Sequence, residues 1–367
     1  MIRTDELLLN VGPQHPSTHG VFRLIVKIDG ETIIEATPVI GYLHRGTEKL
    51  AEDLMYTQII PYTDRMDYVS AMLGNYAYVH AVETLMEIEV PERAEYLRVI
   101  AMELNRIASH LVWFGTYLLD LGAITPFLYA FREREKILQL LAELSGSRMT
   151  YSYMRIGGVK WDVPDEGWLG RVDAFLDAFS GALEEFHDLV TGNEIIQARL
   201  KGVGQYDAAT AIAYGLTGVN LRSTGVNYDV RRAKPYSIYN RFAFHVPTRE
   251  EGDLWARYCL RMEEMEQSRR IVKQAVAQFP TGGDIIAKLP KVLRAPAGEV
   301  YTSVESTRGE LGVYIRSEGG PKPYRVHFRR PSFVNLQILP RLLVGEHIAN
   351  MVAIIGGIDV IMGEVDA

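Results

Sequence analysis

Phe22, Leu24, Val26 and Ile28 alternate with more polar residues up to Asp29-Gly30, and Ile33-Ile34 begin a return. A period of two ending in Asp-Gly predicts a β-hairpin. From about residue 46 the apolar period becomes helical. Pro91 opens a helix in which Leu97, Ile100, Leu104, Ile107, Leu111 and Phe114 recur at three- and four-residue steps. Arg132 to Leu144 predicts another helix, closed by Gly146. Trp168 to Val190 and Glu250 to Phe279 are further helices, the last stopped by Pro280 and Gly282-Gly283. The β pattern returns in Val300–Val304, Gly312–Ser317 and Pro323–Phe328, the last two joined by a turn at Glu318-Gly319-Gly320. The pattern predicts an α+β chain, mainly α. A helical body spans residues 46–290, between an N-terminal β-hairpin region (1–45) and a C-terminal β region with a buried tail (291–367), all in one compact unit.

The most apolar stretch, Leu111 to Phe131, has the length of a membrane span, but Asp120 lies mid-way and Pro126 interrupts it. It reads as a buried core helix ending in a turn. The first residues lack the charged and apolar regions of a signal peptide. A net charge of −7 argues against nucleic acid, which needs a basic face. Cys259 is the single cysteine, so neither an internal disulfide nor a cysteine-ligated iron–sulfur cluster is expected within this chain. Gly157-Gly158 and Gly202-Val203-Gly204 do not form a phosphate-cradling G-x-G-x-x-G after a strand, so NADH is expected to bind elsewhere.

Before the first hairpin runs Gly12-Pro13-Gln14-His15-Pro16-Ser17-Thr18-His19-Gly20-Val21, too rich in Pro and Gly for a helix. Two histidines in such a loop suggest a metal, a proton donor, or two satisfied loop groups. Glu103, Arg106 and His110 fall on one helical face, which reads first as a salt-bridged face. Arg132-Glu133-Arg134-Glu135 reads as an ion-paired surface at the start of a helix. Arg231-Arg232-Ala233-Lys234-Pro235-Tyr236 reads as a solvated loop.

The histidine string, with Gly41-Tyr42-Leu43-His44-Arg45-Gly46-Thr47-Glu48-Lys49, resembles the 49-kDa (D) subunit family of respiratory complex I. The resemblance continues through Pro61–Tyr68, Glu103–His110, Thr125–Glu135, Arg155–Val159, Ser223–Val230, Glu305–Gly312 and Arg330–Leu336, essentially the whole chain. It implies the fold of a nickel–iron hydrogenase large subunit. It also implies a quinone site in the peripheral arm of a proton-translocating NADH:quinone oxidoreductase, with His19 and Tyr68 holding the headgroup and Asp120 paired with the histidine. Thr116 and Ile361 would line the pocket. Arg45 would stand beside the iron–sulfur cluster of a neighbouring subunit, as would Thr150. The implied partners are that iron–sulfur subunit, other peripheral-arm subunits and membrane-arm subunits. The implied location is the cytoplasmic side of the cell membrane, as a peripheral protein.

Two departures stand out. Hydrogenases bind nickel and iron through paired cysteines; here Asp67 and Ser70, and Ile361 and Glu364, occupy those places, so no metal is expected. The vacated cavity would suit a quinone headgroup. Many family members carry a histidine where this chain has Thr150, which cannot titrate. A cluster potential nearly independent of pH follows, and with it a lower-potential quinone such as menaquinone. The rival readings are a purely structural scaffold subunit of a hydrogenase-related membrane complex and a hydrogenase-type catalytic subunit, which the missing cysteines oppose.

Overall fold

Pro91 fixes the entry of a long helix, and Glu92 and Glu95 place negative charge at its positive end. In the computed structural model, which describes residues 6–13 and 21–367, that helix is Glu92–Asp120 (α4). The predicted stripe from Leu97 to Phe114 is fully buried. Ahead of α4 come Thr47–Asp53 (α1), Tyr56–Thr63 (α2) and Ala71–Met86 (α3). After it, Leu121 and Gly122 turn the chain into Ile124–Ser145 (α5). The apolar run from Leu111 to Phe131 is therefore the end of one core helix and the start of the next. Pro126 is tolerated because it sits in the first turn of α5, where the missing N–H costs nothing. Gly115 allows the close crossing: a Cβ there would lie 3.3 Å from both Phe127 and Phe131. The charge alternation at 132–135 thus falls inside α5, not at a helix start. Arg132–Glu185 at 2.6 Å ties α5 to the helix that ends at Phe186, while Lys136–Glu133 at 2.8 Å is a pair within α5 itself.

Trp168–Phe186 (α6) runs on into a π-helical turn, His187–Thr191. Short helices follow at Glu194–Leu200 (α7), Ala208–Ala213 (α8), Val219–Arg222 (α9) and Val230–Ala233 (α10). Leu254–Ala277 (α11) is capped by the Asp253 side chain, which accepts from the Ala256 N–H at 2.8 Å. α11 and α5 pack on α4, which becomes the axis of the body.

The N-terminal sheet contains Leu7–Val11 (β1), Arg23–Asp29 (β2) and Thr32–Val39 (β3), antiparallel in that order. The predicted alternation holds, with Phe22, Leu24, Val26 and Ile28 all buried. β1 pairs Val11 with Leu24, so the histidine string forms the connection between β1 and β2. Met154–Arg155 (β4) and Gly158–Val159 (β5) make a small hairpin. The C-terminal sheet is Ala297–Ser306 (β6), Gly309–Glu318 (β7) and Arg325–Arg329 (β8), also antiparallel in order. Beyond it the β expectation ends. Pro331–Leu336 (α12), Leu339–Leu343 (α13), Met351–Ile358 (α14) and Met362–Val365 (α15) are short helices. Short apolar runs cannot be assigned to helix or strand by period alone, and here burial chose helix. The final turn is buried as expected. Arg330 binds the Val365 carbonyl at 3.1 Å, and the Asp366 carboxylate accepts from the Gly41 and Leu43 amides, both at 2.8 Å. One buried apolar cluster extends from Phe22 to Ala367. Among the described residues no helix is long and apolar enough to cross a membrane.

Candidate functional site

β6 and β7 are joined by the two residues Thr307 and Arg308, since Ser306 pairs with Gly309. A hairpin tip usually faces water; this one is driven into the middle of the molecule, where Arg308 is 3% exposed. Gly309, at φ 125°, and Gly218 permit it, because a Cβ on Gly218 would meet the Gly309 Cα at 2.6 Å. The Arg308 guanidinium donates to Asp67 at 3.1 Å, Ser70 at 3.0 Å, Ser109 at 2.6 Å and Thr307 at 2.6 Å, and to Asp359 at 3.2 Å. Ser70 also bonds Thr307 directly.

Three of the four positions that the resemblance sets against hydrogenase cysteines meet here. Asp67 and Ser70 come from the segment between α2 and α3. The tail brings Glu364 within electrostatic reach of Asp67 and Arg308. The fourth, Ile361, is buried beside them, its N–H donating to Ser332. The expectation of an open, mostly apolar cavity is corrected: an arginine and its oxygen partners fill the space. The donor set offers one guanidinium and no thiolate, which does not fit a nickel–iron centre. Among the described residues no group of three or more His, Cys, Asp or Glu could hold a metal ion.

Asp359 continues the cluster to Arg261 on α11, 3.6 Å away, whose guanidinium lies over the Trp113 ring at 4.1 Å. A second buried network lies beyond it. His110 Nε2 meets Glu264 at 2.9 Å, and Glu264 pairs with Arg222. Arg222 bonds Glu305 at 2.7 Å; Arg231 bonds Asp229 at 2.7 Å and Glu103 at 3.2 Å. Glu103 also takes Arg106 at 3.1 Å and the hydroxyls of Tyr239 and Ser268, both at 2.6 Å. The Glu103, Arg106, His110 face is thus ion-paired as expected, but in the core. The guanidiniums of Arg106 and Arg231 overcome the cost of burial and hold the Glu103 carboxyl down at about 2. Arg231 and Tyr236 are likewise buried, which corrects the solvated-loop reading at both ends of that segment.

Tyr68 is half-buried at the edge of the Arg308 cluster. Burial, then the neighbouring Asp67 charge, raise its pKa, against the pull of Arg308, so the phenol keeps its proton at neutral pH. Its ring rests on the tail: a Cβ on Gly363 would lie 3.4 Å from Tyr68 Cδ1 and 2.7 Å from the Met66 carbonyl. Asp120 is half-buried at the last residue of α4, and Thr116 sits one turn before it, its hydroxyl donating to the Val112 carbonyl at 2.8 Å. The intervening Tyr117 packs on α14, where a Cβ on Gly356 would meet its ring at 2.7 Å. Tyr117, between Thr116 and Asp120 in sequence, is thus the residue of this turn that α4 sets against α14. His19 and His15 lie outside the described residues.

Arg45 is exposed and donates to the Arg65 carbonyl at 2.6 Å. Asp64, buried next to Arg65, accepts from the Ser152 N–H at 3.1 Å. These bonds bring the Arg45 loop and the Thr150–Ser152 turn to one side of the same segment that carries Tyr68. Thr150 has φ 50°, an uncommon backbone for a β-branched residue.

Sequence comparison identifies the lineage. The model of the respiratory-chain NADH dehydrogenase 49-kDa subunit family matches residues 120–294 and 287–367. The chain is 67% identical over 366 residues to the D subunit of NADH-quinone oxidoreductase from Geobacillus thermodenitrificans, covering all of both chains. It is 65% identical to the corresponding protein of Bacillus thuringiensis and 64% identical to that of Bacillus cytotoxicus, again over both full lengths. The chain belongs to the 49-kDa (D) subunit family of complex I. Membership makes it one component of an NADH–quinone oxidoreductase, which by definition works among other subunits.

Arg308 is the site residue that sequence reading missed. Its setting, Thr307-Arg308-Gly309, looks like an exposed turn, and only the flanking apolar strands hint that it is carried inward.

Proposed function

We propose that this chain forms one wall of the quinone site of its complex, with Tyr68, His19 and Asp120 as the working residues. The observation that carries the reading is the placement of Tyr68. It is a protonated phenol, half-buried, set on a buried tail and next in sequence to the Asp67 of a buried Asp67–Arg308 pair. Such a group can hydrogen-bond one carbonyl oxygen of a quinone and donate its proton as the ring is reduced. Quinone reduction takes two electrons and two protons; His19 would serve the second oxygen. Asp120 would hold that histidine cationic and orient it until its proton leaves. Thr116 and Ile361 would border the headgroup.

Electrons would come from an iron–sulfur cluster in a partner subunit, with NADH bound elsewhere in the complex. Arg45 and Thr150 would face that cluster, where a fixed cation raises the reduction potential because reduction adds negative charge. Menaquinone is the quinone this arrangement favours. Membrane-arm subunits and the remaining peripheral-arm subunits would complete the site, with this chain on the cytoplasmic side.

The test is quinone reduction by the assembled complex carrying Tyr68→Phe. Loss of about a hundredfold or more in kcat, the scale of one general acid, with assembly intact supports the reading. Undiminished activity in Tyr68→Phe and His19→Ala complexes would leave only the scaffold role.

A further inference from the structure

Around Arg308 three carboxyl groups, Asp67, Asp359 and Glu364, share two guanidiniums, Arg308 and Arg261, and all five side chains are buried. A buried carboxylate without a counter-charge is expensive, and the usual outcome is that one such group keeps a proton. The ion pairs say which. Asp67 pairs with Arg308 and accepts from the Val69 and Ser70 amides, both at 3.2 Å. Asp359 pairs with both arginines, although its Oδ2 accepts no hydrogen bond. Among the described residues Glu364 finds no ion-pair partner; one oxygen accepts from the Ser332 amide at 3.0 Å, and the other, Oε1, meets no donor there. Glu364 is therefore the group least able to carry the charge.

We propose that Glu364 holds an exchangeable proton at neutral pH and, through Asp67, returns it to Tyr68 each time Tyr68 protonates a quinone oxygen. This rests on the quinone-site reading above. Tyr68 gives its proton to the quinone oxygen while the partner's iron–sulfur cluster supplies electrons. The tyrosinate takes a proton from the Glu364–Asp67 pair, and the pair is refilled from solvent. Atoms and charge balance without another reactant.

The placement suits the step. Tyr68 adjoins Asp67 in the chain and rests against Gly363, the residue before Glu364. Burial, followed by the Asp67 charge, pushes the Glu364 carboxyl up to about 7, with the Ser332 bonds and Arg308 pulling the other way. Other charges on the adjoining elements are committed elsewhere. Arg330 binds the carbonyls of Val365 and Ala367, His44 the Asp366 carbonyl, and the Asp366 carboxylate the Gly41 and Leu43 amides.

The experiment uses the assembled complex and a short-chain quinone. Glu364→Gln should preserve assembly and the quinone KM, lower kcat by about a hundredfold, and remove the limb of the kcat–pH profile near neutrality. Glu364→Asp should retain that limb. In the wild type, the infrared difference spectrum between oxidised and quinol-loaded complex should show a carboxylic-acid C=O band that shifts in D2O. Wild-type kcat and an unchanged pH profile in Glu364→Gln would overturn the inference, as would a wild-type spectrum with no such band. The spectrum decides alone if Glu364→Gln does not assemble. An inactive Tyr68→Phe beside a normal Glu364→Gln would sink this step only; a fully active Tyr68→Phe would sink the quinone-site reading itself.

Discussion

Arg308 meets Asp67 at 3.1 Å with both side chains buried, and the same guanidinium reaches Asp359. Removing the arginine would leave Asp67 without a counter-charge in the interior and Asp359 with Arg261 alone. Arg308→Ala should destabilise the protein by about 3–5 kcal/mol, the cost of breaking a buried pair from one side. Arg308→Lys should rescue little, because a point charge cannot reproduce a fork that serves Asp67, Ser109 and Asp359 together. The check is the yield of assembled complex and the temperature at which it loses activity.

A pH effect on stability is expected at Asp64. Burial raises its carboxyl from 3.8 to about 6, against the Ser152 amide bond and the charges of Arg65 and Arg155. The folded state therefore binds the proton more tightly than the unfolded chain. Its stabilising contribution is complete below the unfolded pKa and fades as pH rises through about 6. Asp64→Asn keeps an acceptor for Ser152 but has no charge to bury. It should match the wild type in acid and exceed it in stability by about 3 kcal/mol above neutrality. Thermal unfolding of the complex across that range reads the difference. A wild-type advantage at alkaline pH would defeat it.

Thr150 combines an unusual backbone with the proposed place beside the partner cluster. At φ 50° a β-branched side chain is poorly placed, whereas His and Asn adopt this region more readily. Thr150→His should therefore be tolerated. In the wild type the potential of the partner cluster that Thr150 is proposed to face should vary little with pH. With histidine present it should fall by up to about 60 mV per pH unit, the one-electron, one-proton slope. Redox titration followed by electron paramagnetic resonance measures both. A steep slope in the wild type would exclude this account of position 150.

The helical body was legible because its period is strong: the α4 stripe runs unbroken from Leu97 to Phe114 and every member is buried. The β2–β3 hairpin was legible from alternation and Asp-Gly. Tyr68 could be singled out only by family resemblance, since nothing in a local pattern distinguishes it among 20 tyrosines. The Arg308 cluster was legible only in part: resemblance set Asp67, Ser70 and Glu364 in the places of hydrogenase cysteines, but nothing tied them to Arg308, Arg261 or Asp359. Its members at 67, 261, 308, 359 and 364 come from four separate parts of the chain, and each looks like an ordinary surface charge in its own window. Long-range pairing of charges leaves no periodic trace. Arg308 in particular sits in a two-residue turn of the kind that normally faces water.

The tail sets the position of Tyr68, and Gly363 is where that dependence can be tested. A methyl group at Gly363 would fall 2.7 Å from the Met66 carbonyl and 3.2 Å from the Arg65 carbonyl, before reaching the Tyr68 ring at 3.4 Å. Two of these neighbours are backbone of the segment that also carries Asp67, so they cannot swing aside as a flexible side chain would. Either the tail or the 65–68 segment must shift. Overpacking of this kind costs about 1–3 kcal/mol, which a buried tail anchored by Arg330 and Asp366 can absorb without unfolding. The effect should therefore appear in function. Gly363→Ala should assemble, yet lose about tenfold or more in kcat, because a displacement near 1 Å suffices to misplace a reacting group. Gly319→Ala serves as a control: its φ of 89° imposes backbone strain in the turn between β7 and β8, where a Cβ would meet nothing closer than 3.8 Å. It should leave kcat unchanged. Equal losses in the two variants would show that general strain, not the position of Tyr68, limits quinone reduction.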